Sequence, residues 1–263
     1  MPNTERANEI MEHIEQRPLG PDDTFQFKCY GCGKCCKNRE DILLNAQDVY
    51  RMAKHLKLEP KQLIERYCEA YVGEQSFVPV VRLRPRGKYN ACPLLQDKRC
   101  GVHAAKPTVC ALYPLGRYCA APKDGEQMET KYFLQPITCG GHKNNTVRGY
   151  LESFGFPLVD PFHVMWSKLL MELVTFSREA IRNGVHMGAI EVIWDTMQGF
   201  LYLHYNTDAD FQIQFEANAF SLRSKLEQVK AALFAPPAGS PCLAPRFPLK
   251  GAQPDGPRDK TGN

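Results

Sequence analysis

Four cysteines within eight residues constrain this chain more than any other feature of its sequence. They lie in the segment Cys29-Tyr30-Gly31-Cys32-Gly33-Lys34-Cys35-Cys36, which has the spacing C-x-x-C-x-x-C-C. A C-x-x-C turn directs two thiolates toward one metal ion or cluster, and the glycines supply the permissive backbone that such a turn requires. Two consecutive cysteines cannot easily point the same way, so we expect Cys35 and Cys36 to face different centres. The segment predicts a site for a soft metal.

The eleven cysteines of the chain are expected to be reduced. Residues 1–21 are polar, carry charges of both signs and lack the pattern of a secretory signal peptide. In a reducing cytoplasm, clustered thiols bind metal more often than they form disulfides, and the odd number of cysteines also argues against a disulfide framework. No run approaches the ~20 apolar residues of a membrane span. We therefore predict a cytoplasmic protein that does not associate with a membrane.

Local signals predict two helices and two strands after the cysteine motif. Asn45 is suited to cap a helix that carries Asp48 in its first turn, and a second helix is expected to begin near Pro60. Residues 77–84 and 131–137 are rich in β-favouring residues, which predicts strands.

One further cysteine, Cys68, lies among the apolar residues of the second predicted helix. Because no other cysteine accompanies it there, we interpret it as a buried core thiol and not as a ligand.

The segment from residue 92 to residue 139 carries a second group of cysteines at irregular spacing. Its prolines are frequent and its apolar runs are short, so it could scarcely build a hydrocarbon core of its own. Metal–thiolate bonds would contribute folding free energy directly in such a segment. We therefore expect metal binding to stabilise it.

The character of the sequence changes to helical from Asp160 onward. Asp160-Pro161 is suited to begin a helix that ends at Asn183-Gly184, and apolar residues at helical spacing predict two more helices, over residues 187–205 and from Phe211. The chain is thus predicted to be α+β: a small, irregular, metal-stabilised cysteine-cluster domain with two helices and short strands, followed by a mainly α-helical extension. The expected divisions are an N-terminal lead with a short helix over residues 5–16 (residues 1–24), the cluster domain (25–155), the helical extension (156–234) and a proline- and glycine-rich disordered tail with Cys242 (235–263).

The cysteine motif, the asparagine-capped helix, Cys92-Pro93-Leu94-Leu95 and the segment from Cys100 to Pro114 together resemble the YkgJ-type cysteine-cluster family. That family is described as a zinc- or iron-chelating domain with eight characteristic cysteines, and the resemblance covers roughly residues 25–150. It implies eight metal-ligating cysteines in this chain: Cys29, Cys32, Cys35, Cys36, Cys92, Cys100, Cys110 and Cys139.

Three positions in this chain depart from the family's usual pattern. The seventh cysteine follows Lys106-Pro107 where the family usually has Arg-Pro, and Ala111 stands where it usually has arginine. Cys139-Gly140-Gly141 lacks the proline that many members carry.

Eight thiolates fit two centres of four, which leaves the metal open. Zinc would occupy two tetrahedral all-thiolate sites, whereas compact C-x-x-C-x-x-C runs suit a [4Fe–4S] cluster. Between Lys28 and Arg117 the chain has 17 Lys and Arg against 8 Asp and Glu, a local charge of +9 that would offset the negative charge of either kind of centre. The roles of His103, His142 and Cys119 stay open at this point.

Three functions are compatible with the sequence. The favoured one is a metal- or iron–sulfur-binding protein with a structural or electron-transfer role, with a protein partner docking on the helical extension. The second is an enzyme, because flagellin lysine N-methylase proteins bear a similar cysteine cluster; no glycine-rich loop for a methyl donor follows a strand here. The third is a zinc-dependent nucleic-acid-binding module that uses a basic stripe, although binding to nucleic acid is not expected. The stripe would consist of Arg82, Arg84, Arg86 and Lys88, with Tyr89 nearby.

Overall fold

The computed structural model describes residues 18–38, 42–120, 128–137 and 139–233. These residues form a mixture of α-helices and short antiparallel strands, so the predicted α+β class is confirmed. The strands are β1 (Thr24–Lys28), β2 (Leu43–Leu44), β3 (Cys68–Val72), β4 (Pro79–Leu83), β5 (Leu95–Gln96), β6 (Arg99–Cys100), β7 (Leu115–Ala120), β8 (Glu129–Leu134) and β9 (Gly141–Thr146). The helices are α1 (Ala46–Leu56), α2 (Pro60–Tyr67), α3 (Thr108–Leu112), α4 (Val147–Glu152), α5 (Pro161–Arg182), α6 (Met187–Gln198) and α7 (Phe211–Leu233).

Two sequence predictions fall outside the described residues. These are the short helix over residues 5–16 and the disordered tail over residues 235–263, which includes Cys242. Within the described ranges, no helix combines the length and apolar character that crossing a membrane requires.

The strands form one three-stranded sheet, in the order β2-β4-β3, and three two-stranded ribbons. In the ribbon β1–β9, Lys28 pairs with Gly141, which brings the cysteine motif next to Cys139. In the ribbon β5–β6, Leu95 pairs with Cys100. Strand pairing therefore places cysteines that are distant in sequence at neighbouring strand ends.

Helix α1 begins where the sequence predicts it. The Asn45 side chain accepts a hydrogen bond of 2.8 Å from the Asp48 amide, and the Asp48 carboxylate accepts one of 3.4 Å from the Asn45 amide. This reciprocal pair satisfies two amides that a helix N-terminus otherwise leaves without partners.

Helix α2 begins at Pro60, as predicted, but ends one residue before Cys68. Cys68 is the first residue of β3, where it pairs with Leu83 of β4, and the Arg84 side chain donates a hydrogen bond to its carbonyl oxygen. The expectation that Cys68 lies on the helix is therefore wrong, because pairing with a strand 15 residues downstream decides its conformation. Its side chain is nonetheless fully buried.

The C-terminal helices also begin and end close to the predicted residues. Asp160 caps α5 by accepting hydrogen bonds from the Phe162 and His163 amides, and the helix stops at Asn183 before Gly184, whose φ is 72°. Helix α6 continues directly into a short π-helix, Gly199–Leu203. The predicted helix over residues 187–205 is therefore present as an α-helical and a π-helical part.

Two hydrophobic cores organise the described residues. The larger core joins the three-stranded sheet and helices α1 and α2 to helices α5, α6 and α7. The smaller core lies around β1, β7, β8 and α4, and it contains Phe25, Phe27 and Tyr150. Residues on both sides of position 155 thus share the larger core, and whether residues 25–155 and 156–234 unfold separately stays a prediction.

A buried ion pair connects the smaller core to helix α5. The Arg117 guanidinium donates a 3.0 Å hydrogen bond to Asp160, and only 4% of the Arg117 side chain and 12% of the Asp160 side chain are exposed. Beside it, the Tyr132 hydroxyl donates to the Leu158 carbonyl oxygen at 2.7 Å. These bonds attach the ribbon β7–β8 to the N-terminus of α5.

Candidate metal centre

The structure brings all eight cysteines implied by the resemblance to one cavity. They come from four places in the fold: the loop after β1, the loop and strand that carry Cys92 and Cys100, helix α3 with Cys110, and the turn before β9 with Cys139. The cavity has a volume of about 620 Å³. Segments as much as 110 residues apart in sequence therefore converge on a single thiol-lined space.

Backbone contacts hold the loop of the first four cysteines against the loop that carries Cys92. The Cys92 amide donates to the Cys36 carbonyl oxygen at 2.8 Å, and the Asn38 amide donates to the Tyr89 carbonyl oxygen at 2.8 Å. Gly33 has a φ of 69°, and a Cβ at this position would lie 2.7 Å from the Lys98 carbonyl oxygen. Any larger residue at position 33 would strain the turn and separate the two loops.

Gly140 plays a similar part beside Cys139. Its φ is 98°, and a Cβ there would lie 2.7 Å from the Phe27 ring and 2.8 Å from the Lys28 carbonyl oxygen. The chain can therefore bring Cys139 close to β1 only with glycine at this position.

One set of cysteines is defined by contact with the larger core or by interaction with a cysteine in such contact, and we call it the inner group: Cys36, Cys92, Cys100 and Cys110. Three of them, Cys92, Cys100 and Cys110, pack against that core. A hydrogen bond with Cys35 and burial raise the pKa of Cys36, and the charges of Cys92 and Cys110 raise it further. Burial also raises the pKa of Cys92, with a contribution from Cys100.

The remaining cysteines form the outer group: Cys29, Cys32, Cys35 and Cys139. Cys35 and Cys139 pack against the smaller core, whereas Cys29 and Cys32 are exposed to solvent. Burial and the charges of Cys35 and Cys32 raise the pKa of Cys139 to about 11.

Cys35 and Cys36 thus lie at the border between the two groups. Cys36 interacts with the inner cysteines, and Cys35 interacts with Cys139. Cys35 also lies close enough to Cys36 and Cys92 to raise the pKa of both. The two groups are therefore adjacent, and the expectation that Cys35 and Cys36 face different centres stays a prediction.

The donor set suits a thiophilic metal. Thiols that mutually raise their pKa values keep their protons without a cation, and a bound metal ion would displace those protons and favour the thiolates. No group of three or more Cys, His, Asp or Glu side chains in the described residues has the geometry of a preformed metal site. The side chains would therefore have to move inward from the cavity wall when a metal binds.

Other candidate residues differ in their position relative to the cavity. His103 lines it, and the charge of Lys106 and burial lower the His103 pKa. His142 is exposed, with its Nδ1 atom 3.1 Å from the Gln26 side-chain oxygen, and Cys119 lies in β7. Neither His142 nor Cys119 is among the described residues that line the cavity.

Sequence reasoning missed one residue that positions the site. Asp48 is 2% exposed and accepts 2.8 Å hydrogen bonds from the Thr108 amide and the Thr108 hydroxyl, as well as from Arg51. It therefore connects the start of α1 to the start of α3, the helix that carries Cys110. The sequence indicates only its local capping role, because Thr108 lies 60 residues away.

Most of the predicted basic stripe is engaged within the protein. Arg82 forms an ion pair with Glu69, Arg84 donates to the Cys68 carbonyl oxygen, and Arg86 donates to the Arg66 carbonyl oxygen. These contacts hold three of the four basic side chains against β3 and the end of α2.

Comparison with known families identifies the part of the chain that contributes most residues of the cavity. Residues 28–140 match the family model CxxCxxCC, described as "Putative zinc- or iron-chelating domain". Comparison with curated proteins and with solved structures gives no significant match. The matched range ends before helices α5–α7 and contains all eight cysteines of the two groups. Residues 28–140 of this chain therefore match the CxxCxxCC family of cysteine-cluster domains, which supports the resemblance over that range.

Proposed function

We propose that the inner and outer cysteine groups each bind an iron–sulfur cluster, of the [4Fe–4S] type, and that the protein transfers electrons. The observation that carries this proposal is that eight cysteines from four separate segments line one cavity. Four thiolates are the usual ligand set of such a cluster, and two groups of four are available. When bound, the clusters would supply one-electron chemistry.

The unequal exposure of the two groups supports a redox role. Three of the four inner cysteines pack against the larger core and all four are only partly exposed, which would shield one cluster from much of the solvent. Cys29 and Cys32 of the outer group are exposed, which would leave one edge of the second cluster open to another molecule. A site that serves only to stabilise the fold has no need of such an edge.

The test is anaerobic purification followed by a visible spectrum and analysis of iron, zinc and acid-labile sulfide. We expect brown protein with broad absorbance near ~400 nm that bleaches on reduction, as thiolate-bound clusters generally show. Colourless protein with stoichiometric zinc and no acid-labile sulfide would contradict the proposal and would favour two structural zinc sites.

A further inference from the structure

We propose that the loops around the outer cysteine group form a docking surface for an electron-transfer protein with an acidic face. This inference rests on the proposed function and identifies the class of partner. The surface consists of six exposed basic residues, which we call the basic rim: Lys28, Lys34, Lys37, Lys88, Lys98 and Arg99.

Two parts of the basic rim adjoin each other because the loops that carry them lie in contact. Lys34 and Lys37 flank the pair Cys35-Cys36, and the same loop is bound to the second one through the Asn38 amide and the Tyr89 carbonyl oxygen. The ammonium groups of Lys37 and Lys88 lie 5.9 Å and 4.9 Å from the centre of the same Tyr89 ring. Lys37 and Lys88, which are 51 residues apart in sequence, thus present their positive charges together.

These charges have no acidic counterpart within the described structure. No ion pair with a described carboxylate involves any of the six side chains. Asp97 is the only acidic residue in the stretches 28–38 and 88–99. Two clusters with four thiolates each would carry about −4 in total, so the rim would stay positive after they bind.

The rim surrounds the edge at which electrons would enter or leave. Cys29 and Cys32 are exposed beside Lys28 and Lys34, whereas the inner cysteines are only partly exposed and three of them pack against the larger core. A positive surface around a redox edge steers an oppositely charged partner toward it and increases the rate of association.

An acidic protein fits this surface better than nucleic acid. Single-stranded nucleic acid binds by stacking bases on open aromatic faces. The two exposed aromatic rings at the rim are occupied instead: the Lys28 ammonium lies 5.7 Å from the centre of the Tyr30 ring, and two lysines approach Tyr89.

The first experiment uses two small oxidants of opposite charge. Reduced, cluster-loaded protein is mixed in a stopped-flow instrument with ferricyanide, a trianion, or with hexaamminecobalt(III), a trication. In each case one electron passes from the cluster to the metal complex. We expect the ferricyanide rate to fall about tenfold between ionic strengths of about 10 mM and 300 mM, because salt screens the attraction, and the hexaamminecobalt(III) rate to rise. The opposite trends, or no salt dependence, would overturn the proposal.

The second experiment measures binding directly with a matched pair of variants. One variant carries Lys34→Gln, Lys88→Gln and Lys98→Gln, and its control carries Lys57→Gln, Lys168→Gln and Lys225→Gln, three exposed lysines outside the rim. The probe is fluorescently labelled poly-L-glutamate, followed by anisotropy. We expect the rim variant to bind the probe at least about tenfold more weakly than the wild type, and the control to bind equally well.

Two further outcomes separate this inference from the proposed function. Equal loss of binding in both variants, or tighter binding of a labelled single-stranded oligonucleotide than of poly-L-glutamate, would overturn the acidic-protein partner. Protein without iron or sulfide would contradict the clusters, while poly-L-glutamate binding would still decide whether the rim accepts an acidic surface. The salt dependence of the wild type requires no variant, so impaired folding of the rim variant would leave the proposal testable.

Discussion

At the residue scale, the most informative element of the site is the pair Cys35-Cys36. Their adjacency in sequence predicts two directions, because neighbouring side chains of an irregular turn cannot converge on one point. In the structure Cys35 packs against the smaller core, while Cys36 interacts with cysteines that pack against the larger one. The motif alone predicts that the side chains of Cys35 and Cys36 diverge. Which other cysteines join each of them depends on long-range folding and was not predictable from the motif.

Single cysteine substitutions should therefore remove one centre at a time. We expect Cys110→Ala to lose the metal of the inner group and Cys139→Ala that of the outer group, each with about half of the iron of the wild type after reconstitution in excess iron and sulfide. Cys68→Ala and Cys119→Ala are the controls and should keep the full iron content. Metal and sulfide analysis checks this, and complete loss of iron in both ligand variants would show a single shared centre.

A second residue-scale prediction concerns His163. Burial and the nearby Arg117 lower its pKa to about 4, against an opposing effect of Asp160, and its Nε2 atom is buried without a hydrogen-bond partner. The folded state therefore favours the neutral ring. The contribution of His163 to the unfolding free energy is complete above pH ~6.5, the pKa of histidine in the unfolded chain. It decreases as the pH falls toward 4.

The test compares wild-type protein with the His163→Gln variant. Between pH 7 and pH 5, the wild type should lose about 2 kcal/mol more of its unfolding free energy than the variant, measured by urea denaturation. Because both proteins contain the same metal centres, acid effects on the metal cancel in the comparison. An equal loss in both proteins would show that His163 does not titrate in this range.

At the element scale, local chemistry was predictable and long-range pairing was not. Asn45 and Asp160 cap their helices through amides two or three residues away, and a short stretch of sequence contains that information. Cys68 was placed on a helix because its neighbours are apolar at helical spacing, whereas pairing with β4 puts it in a strand. The connection between Asp48 and Thr108 was missed for the same reason.

This connection can be tested with Asp48→Ala. The substitution leaves the Thr108 amide and hydroxyl without their buried acceptor, and we expect a loss of about 3 kcal/mol in unfolding free energy with weaker metal binding at Cys110. The control is Asp22→Ala, which removes the exposed ion pair with Arg148 and should cost no more than about 1 kcal/mol. Urea denaturation measures both, and equal effects would show that Asp48 does not stabilise α3.

At the scale of the whole molecule, the cavity lies between two cores of different composition. The sequence predicts that metal stabilises the cysteine-rich segment, and that the helical extension buries a core of its own while its outer faces pack against the cluster domain. The structure shows that helices α5–α7 share the larger core with α1, α2 and the three-stranded sheet. Apolar periodicity reveals which face of a helix is buried, but not which partner covers it.

Removal of the metal should therefore affect the loops more than the larger core. After anaerobic chelation, we expect amide protons of residues 29–36 and 89–111 to exchange faster, while those of α1, α5 and α7 keep most of their protection. Hydrogen exchange with mass spectrometry compares the two states. Equal loss of protection throughout would show that the chain unfolds as one cooperative unit without its metal.

The position of Cys35 beside Cys36 also affects the reduction potentials that the two proposed clusters would have. Their Cα atoms are separated by one peptide unit, a distance of about 3.8 Å, so ligands of the two clusters would be neighbours in the chain. An electron added to one cluster would repel an electron approaching the other. The second reduction should then require a lower potential than the first, and the protein would accept its electrons in two separate steps.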